Sequence, residues 1–340
     1  MERQPNEILS IIATMIPLNR DLASLLRTCR RFQNSLGSTL YERDATWSNG
    51  SALLWAASEG EVRTAEQALE FSSERATEAL FKAVTNRHGA IVRLLLVSEG
   101  VKPNSLHRLG QTPLILAASQ GHEDIVEALL ESEAVEPNSM CGAGWTALST
   151  AVARGRMAIV KRLLASKKVN PNLANALDQT PLFLAASRGH DNIVEVLLNN
   201  EAVDPDSRGE NGRTALSIAA AHGNKVIFRR LLDTGKVNLN SADDRGWTLL
   251  FYAASREHGG IVSLLLDNEA IELDSRNKLG RTALMLAAYH GHSTVVKLLL
   301  GSKKVYPSQK DNKGWSALSM AAYHGHSTIV RLLLEIGKGN

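Results

Sequence analysis

Ile125, Val126, Leu129 and Leu130 pair up four residues apart, the spacing that lays one apolar face along a helix. Upstream, a second apolar run from Leu114 to Ala118 opens on Thr112-Pro113 and closes at Gly121. The pattern predicts two helices joined by a tight turn. Thr112 caps the first, and Pro113 suits its first turn, where a missing N–H is an orphan anyway. Gly121 can take the left-handed conformation that ends it. Ala117-Ala118, Ala185-Ala186 and Ala287-Ala288 are small where two helices must approach closely.

The pattern repeats. A Thr-x-Leu triplet begins at Thr112, Thr146, Thr180, Thr214, Thr248 and Thr282, in steps of 34 residues, and Ser316 continues the series. Glu78-Ala79-Leu80 is a worn copy, and Ser51-Ala52-Leu53 opens a further unit 27 residues earlier. About nine units result, the first atypical and the last truncated. Gly121, Gly155, Gly189, Gly223, Gly291 and Gly325 share one column. Pro103, Pro137, Pro171, Pro205 and Pro307 share another and keep the connecting finger extended. A period of this length suits tetratricopeptide and ankyrin repeats alike. The tetratricopeptide Trp–Leu-Gly–Tyr signature is absent. The unit Gly110-Gln-Thr-Pro-Leu-Ile-Leu-Ala-Ala-Ser-Gln-Gly-His-Glu-Asp-Ile-Val-Glu-Ala-Leu-Leu130 closely resembles the ankyrin consensus. The resemblance covers residues 49–340 and implies an all-α solenoid of helix–turn–helix units with β-turn fingers, whose function is protein recognition. Two departures stand out. Ile115, Ser149, Phe183, Ser217, Phe251, Met285 and Ser319 occupy the place of a common His, which removes a local hydrogen bond. Glu257 stands where a turn glycine belongs, with Gly259-Gly260 two places later, and Arg87-His88-Gly89 shows the same shift; an irregular turn is expected at Glu257.

Residues 1–48 do not follow the repeat. Apolar residues at 9, 12 and 16, then at 22, 25, 26 and 29, have helical spacing, and Leu36 with Leu40 marks a third short helix. The order Pro5-Asn6-Glu7-Ile8-Leu9, Ile16-Pro17, Asp21-Leu22, Cys29-Arg30-Arg31-Phe32 resembles an F-box, in an arrangement like that of fungal F-box/ankyrin-repeat proteins. Gln4 departs from the pattern where a Leu commonly precedes the proline. The resemblance implies docking on the small adaptor subunit of a cullin–RING (SCF-type) ubiquitin ligase, with Pro5, Leu9, Ile12 and Leu22 in or near the contact. The alternative is that these helices only cap the first apolar face of the solenoid.

Composition removes other classes. The 340 residues carry a net charge of only +3, with both signs interspersed, so nucleic-acid binding is not expected. Arg27, Arg30 and Arg31 form only a small cluster. Two cysteines, Cys29 and Cys141, make neither a disulfide framework nor a zinc spacing. Neither a signal peptide nor a membrane span of ~20 apolar residues is read, and a cytoplasmic or nuclear location is expected. No catalytic motif is found, so no enzyme activity and no cofactor are expected. His122, His190, His292 and His326 recur once per repeat. Repeats stack roughly 10 Å apart, too far to share one ion at bonds of ~2 Å, so structural histidines are expected.

Function therefore rests on the columns that vary while the scaffold stays fixed. Finger tips and first-helix ends carry Arg108, Gln111, Arg154, Gln179, Arg188, Arg213, His222, Arg245, Arg256, Lys278, Arg281, Tyr289, His290, Lys313, Tyr323 and His324. Of these, Arg154, Arg188, Arg213, Arg256, Lys278, Arg281, Tyr289 and Tyr323 are the candidate groove residues, and a basic, tyrosine-bearing groove implies an acidic protein partner. Glu127, Lys161, Glu195 and Lys297 fall on the second helices, with mixed signs. Trp145, Trp247 and Trp315 precede the Thr or Ser anchor and are expected to pack on neighbouring fingers.

Overall fold

The Thr and Ser anchors form helix starts for a physical reason. A helix leaves its first four N–H groups without partners. Thr112, Thr180 and Thr282 each accept one from the backbone three residues on, and Pro113 and Pro181 remove another. Where that third residue is serine the cap is reciprocal. Ser149 Oγ accepts from Thr146 N at 2.8 Å, Ser217 Oγ from Thr214 N at 3.0 Å and Ser319 Oγ from Ser316 N at 2.8 Å. The hydrogen bond expected to be lost with the usual histidine is thus replaced in three repeats.

The structure, a computed structural model, describes residues 51–337 apart from 72, 74 and 303. The described residues hold eighteen α-helices in nine pairs, one short 3-10 turn at Glu210–Gly212 and no strand. The chain divides between Val169 and Asn170 into two compact units. The first stacks four pairs: α1 (Ser51–Glu59) with α2 (Val62–Phe71), α3 (Ala76–Thr85) with α4 (Gly89–Leu96), α5 (Pro113–Gln120) with α6 (Glu123–Glu131), and α7 (Ala147–Ala153) with α8 (Met157–Ala165). The second stacks five: α9 (Pro181–Arg188) with α10 (Asp191–Leu198), α11 (Ala215–His222) with α12 (Lys225–Asp233), α13 (Leu249–Ser255) with α14 (Gly259–Leu266), α15 (Ala283–His290) with α16 (Ser293–Gly301), and α17 (Ala317–Tyr323) with α18 (Ser327–Gly337). Within each unit, first helices pack on first helices and second on second. The core lies between them. Ala117, Ala118, Ile125, Val126 and Leu129 are all fully buried, and removing a Val, Ile or Leu side chain from water is worth about 1.5–3 kcal/mol.

Polar side chains tie each repeat to the next. His88 Nε2 meets the Ser58 carbonyl at 2.9 Å, and His122 Nδ1 meets that of Val84 at 3.0 Å. In the second unit, His258, His292 and His326 reach the Ala221, Ser255 and Tyr289 carbonyls at 3.1, 3.0 and 3.1 Å. These five histidines therefore satisfy carbonyls at the C-terminal end of the preceding first helix, whereas His190 Nε2 in the same column is buried without a partner. A second ladder runs through the fingers. Asn104 donates to Ala134 O (2.8 Å) while its Oδ1 accepts from Glu136 N (2.8 Å). Asn172 and Asn240 repeat both bonds. In the same column Asp206 and Asp274 only accept, from Asn238 N and Tyr306 N.

The turn at Glu257 keeps the left-handed step of its neighbours, although its cap, Arg256, lacks the backbone N–H bond made at the caps of α5, α7, α9, α11, α15 and α17. Glu257 adopts φ +63°, close to the +71° of Gly223 and +82° of Gly291, and Arg87 does the same at +61°. His258 N still bonds Ala253 O, as His292 N bonds Ala287 O. The scaffold imposes the left-handed conformation on a side chain that disfavours it. A second irregularity of this repeat lies at the other end of α13, where Thr248 Oγ1 is buried without a partner.

Two consequences are measurable. Burial raises the carboxyl pKa of Asp206 and of Asp274, so each folded state pays for ionisation that the unfolded chain does not. That penalty is absent at low pH and present above the carboxyl range. Asp206→Asn with Asp274→Asn should stabilise by about 1 kcal/mol per site at pH 7, through a donor for the carbonyl across the finger, and by less near pH 3. Urea unfolding at both pH values measures it. Glu257→Gly should add about 1 kcal/mol by relieving the left-handed strain, read the same way.

Candidate functional site

The last residue or cap of the first helix is basic in six successive repeats. Arg154 caps α7, Arg188 ends α9, His222 ends α11, Arg256 caps α13, His290 ends α15 and His324 caps α17. Cations complement the negative end of a helix dipole, so local physics favours this placement. All six are exposed; Arg154 belongs to the first unit and the other five to the second. Arg256 also donates from Nη1 to Ala221 O at 2.7 Å, which holds its guanidinium across the preceding repeat without neutralising it.

The finger arginines behave differently. Arg213 lies over the Phe183 ring at 5.9 Å and pairs with Glu210 at 3.5 Å. Arg281 lies over the Tyr289 ring at 5.5 Å and pairs at 3.3 Å with Asp311, which is buried. Asp311 also accepts from Lys313 N and Trp315 N, both at 2.9 Å, and these bonds with the Arg281 guanidinium outweigh its burial and lower its pKa. Two of the eight candidate groove residues, Arg213 and Arg281, are thus anchored parts of the scaffold. Lys278 is exposed at a finger tip.

The C-terminal tyrosines join one aromatic cluster. Tyr289 meets the edges of His290 and His324 at 4.9 and 4.3 Å. Tyr323 meets His324 at 5.1 Å and Trp315 at 5.3 Å, and remains 74% exposed. His290 and His324 stack on His292 and His326. Burial, then the charges of His292, His324, Arg281 and His326, lowers the His290 pKa. Burial with Arg256, Arg213 and His258 lowers that of His222. The sequence singled out both tyrosines; that His324 bridges them follows only from the stacking of α15 on α17. The ring partners of Trp247 and Trp315 lie on their own repeats, at Phe251, Tyr252 and Tyr323.

One feature escaped the sequence reading. Between α3 and the finger at 105–109 lies an open cavity of about 940 Å³, lined by Phe81, Lys82, Leu106, His107, Arg108 and Leu109. Phe81 stacks on His107 at 5.2 Å, and Leu109 is 81% exposed. Two leucines in a polar finger were the available signal. Pro5, Leu9, Ile12 and Leu22 lie outside the described residues. Among the described residues no cluster of three or more His, Cys, Asp or Glu could hold a metal, and no helix is long and apolar enough to cross a membrane.

The family model described as ankyrin repeats (3 copies) matches in overlapping stretches, residues 53–141, 80–175, 133–208, 150–240, 200–277, 227–311 and 268–340. No curated protein matches the chain.

The Asp311 arrangement has a testable cost. Asp311→Asn keeps an acceptor for the two backbone N–H groups but removes the charge that holds Arg281. Stability should fall by about 1.5–3 kcal/mol at pH 7, the worth of hydrogen bonds to a charged group. Because the folded pKa is lowered, the wild-type advantage is present above the ordinary carboxylate pKa and disappears as pH falls through the folded value. Paired urea titrations at pH 7 and pH 3 measure the difference.

Proposed function

We propose that this chain, which belongs to the ankyrin-repeat family, is the substrate-recognition subunit of a cullin–RING ubiquitin ligase, with its N-terminal segment on the ligase adaptor and its repeats on the substrate. Ankyrin repeats are protein-interaction modules, and binding rather than catalysis is the role proposed. The observation that carries the binding half is the basic and aromatic surface at the first-helix ends and fingers of repeats that share one buried core. Arg154, Arg188, Arg256, Lys278, Tyr289 and Tyr323 are the proposed contacts, with Arg213 and Arg281 positioning the surface from below. Tyrosine and arginine are the residue types that most often dominate interface energies. The adaptor half is supported by the order Pro5-Asn6-Glu7-Ile8-Leu9, Ile16-Pro17, Asp21-Leu22 and Cys29-Arg30-Arg31-Phe32. A plain ankyrin scaffold with an N-terminal cap is the second reading, favoured by the need of the first helix pair to cover its outer apolar face.

Purified adaptor should bind the full chain at micromolar concentration, and Leu9→Asp with Leu22→Asp should abolish that binding, since each places a charge in an apolar contact. Absence of wild-type binding by a folded protein leaves the scaffold reading. For a protein partner, Tyr289→Ala with Tyr323→Ala should weaken binding by about 2 kcal/mol or more, given typical hot-spot costs. Lys161→Ala with Lys297→Ala, on second helices, should change it little. Calorimetric titration of the four proteins decides between the surfaces.

A further inference from the structure

The second unit carries Arg188, His222, Arg256, His290 and His324 at one position of five consecutive repeats. We infer that this column reads an extended acidic segment bearing a carboxylate at every third residue, and that binding draws protons onto His222 and His290. The inference deepens the binding reading above and rests on it.

The register follows from two repeats of different length. Packed helices lie about 8–10 Å apart, so successive column residues recur at that interval. An extended chain rises about 3.3 Å per residue, so three residues span one repeat. Carboxylates at i, i+3, i+6 and i+9 therefore meet successive basic groups, whereas contiguous carboxylates crowd onto one or two. The two intervening residues are left to the fingers and to the exposed Tyr323.

Charge on this face points the same way. Glu210 and Asp311 pair with Arg213 and Arg281, Glu257 lies 3.5 Å from His292, and Asp243 accepts from the Tyr252 hydroxyl, while Asp178 is exposed on its finger. Asp244 lies against Gly212 beside Arg208. They offset the fingers and leave the column basic. Around His222 stand Arg213, Arg256 and His258. Around His290 stand His292, His324, His326 and Arg281, with the Tyr289 ring at its edge. Around His324 stand Tyr289, Tyr323 and His326. Burial, and then these positive neighbours, lowers the pKa of His222 and His290 in the free protein. An incoming carboxylate reverses that balance and favours the imidazolium. Proton uptake on binding makes affinity rise as pH falls, the sign expected when the bound-state pKa exceeds the free one.

The test uses the full chain and two fluorescein-labelled dodecapeptides of equal composition, one Glu-Ser-Ser repeated four times and one with four contiguous glutamates followed by eight serines. Fluorescence anisotropy at pH 8 and pH 6 reads the affinities. The spaced peptide should bind about tenfold tighter, the sum of several exposed ion pairs. Its affinity should rise about fivefold or more from pH 8 to pH 6, across the ordinary histidine range. His222→Gln with His290→Gln should melt at the wild-type temperature and lose that pH response. Equal affinity of the two peptides overturns the register, and a flat pH profile overturns the proton uptake. Tighter binding of a single-stranded RNA dodecamer than of either peptide overturns the acidic-peptide assignment. If the peptides fail while the Tyr289/Tyr323 variant still loses a protein partner, this inference falls and the binding reading stands. If that variant keeps its partner, the reading of the surface falls.

Discussion

Each repeat can bury its apolar face only against the next one, and every other feature of the chain depends on that constraint. It makes alanine the residue of choice where α5 packs between its neighbours, with Ala117 and Ala118 fully buried. It also strands polar backbone at each first-helix end and in each finger, which a neighbour must satisfy. His88, His122, His258, His292 and His326 do so for helix ends, and asparagine does so for fingers. The column spacing of 34 residues is the sequence image of these bonds, because a side chain that reaches a fixed carbonyl one repeat away must recur with the repeat.

The same constraint separates scaffold from surface. Arg213 and Arg281 read as ligand-binding arginines along the sequence, yet each is held by an acid and an aromatic ring. Arg256 differs, because its partner is a carbonyl and its charge remains uncompensated. Position in a repeat tells which residues face a partner; the partners already supplied by the protein tell which of them remain able to bind one.

Much of the fold was legible. The helix caps, turn glycines and apolar faces are local, and local chemistry repeated in register is readable from one strand of text. The left-handed step at Glu257 was missed because propensity was weighed without the neighbours that hold the turn, and regular repeats on both sides impose φ +63° on it. The asparagine column recurs in the sequence, but its bonds were not legible there, since Asn104 and Glu136 are joined only through stacking. The Tyr289–His324–Tyr323 cluster was half legible: its members stood out, their contact did not. The cavity beside Phe81 joins a helix to a finger of the following repeat, a juxtaposition that no spacing encodes.

The central claim is that this chain recognises a protein through its fingers and first-helix ends. Amide hydrogen exchange of the full chain, alone and saturated with a protein partner, tests it most directly. The account predicts slowed exchange in the fingers around Asp243–Trp247, Asn277–Arg281 and Asp311–Trp315, with the second helices α12, α14 and α16 unchanged. Protection confined to those second helices, with the fingers exchanging as in the free protein, would contradict it.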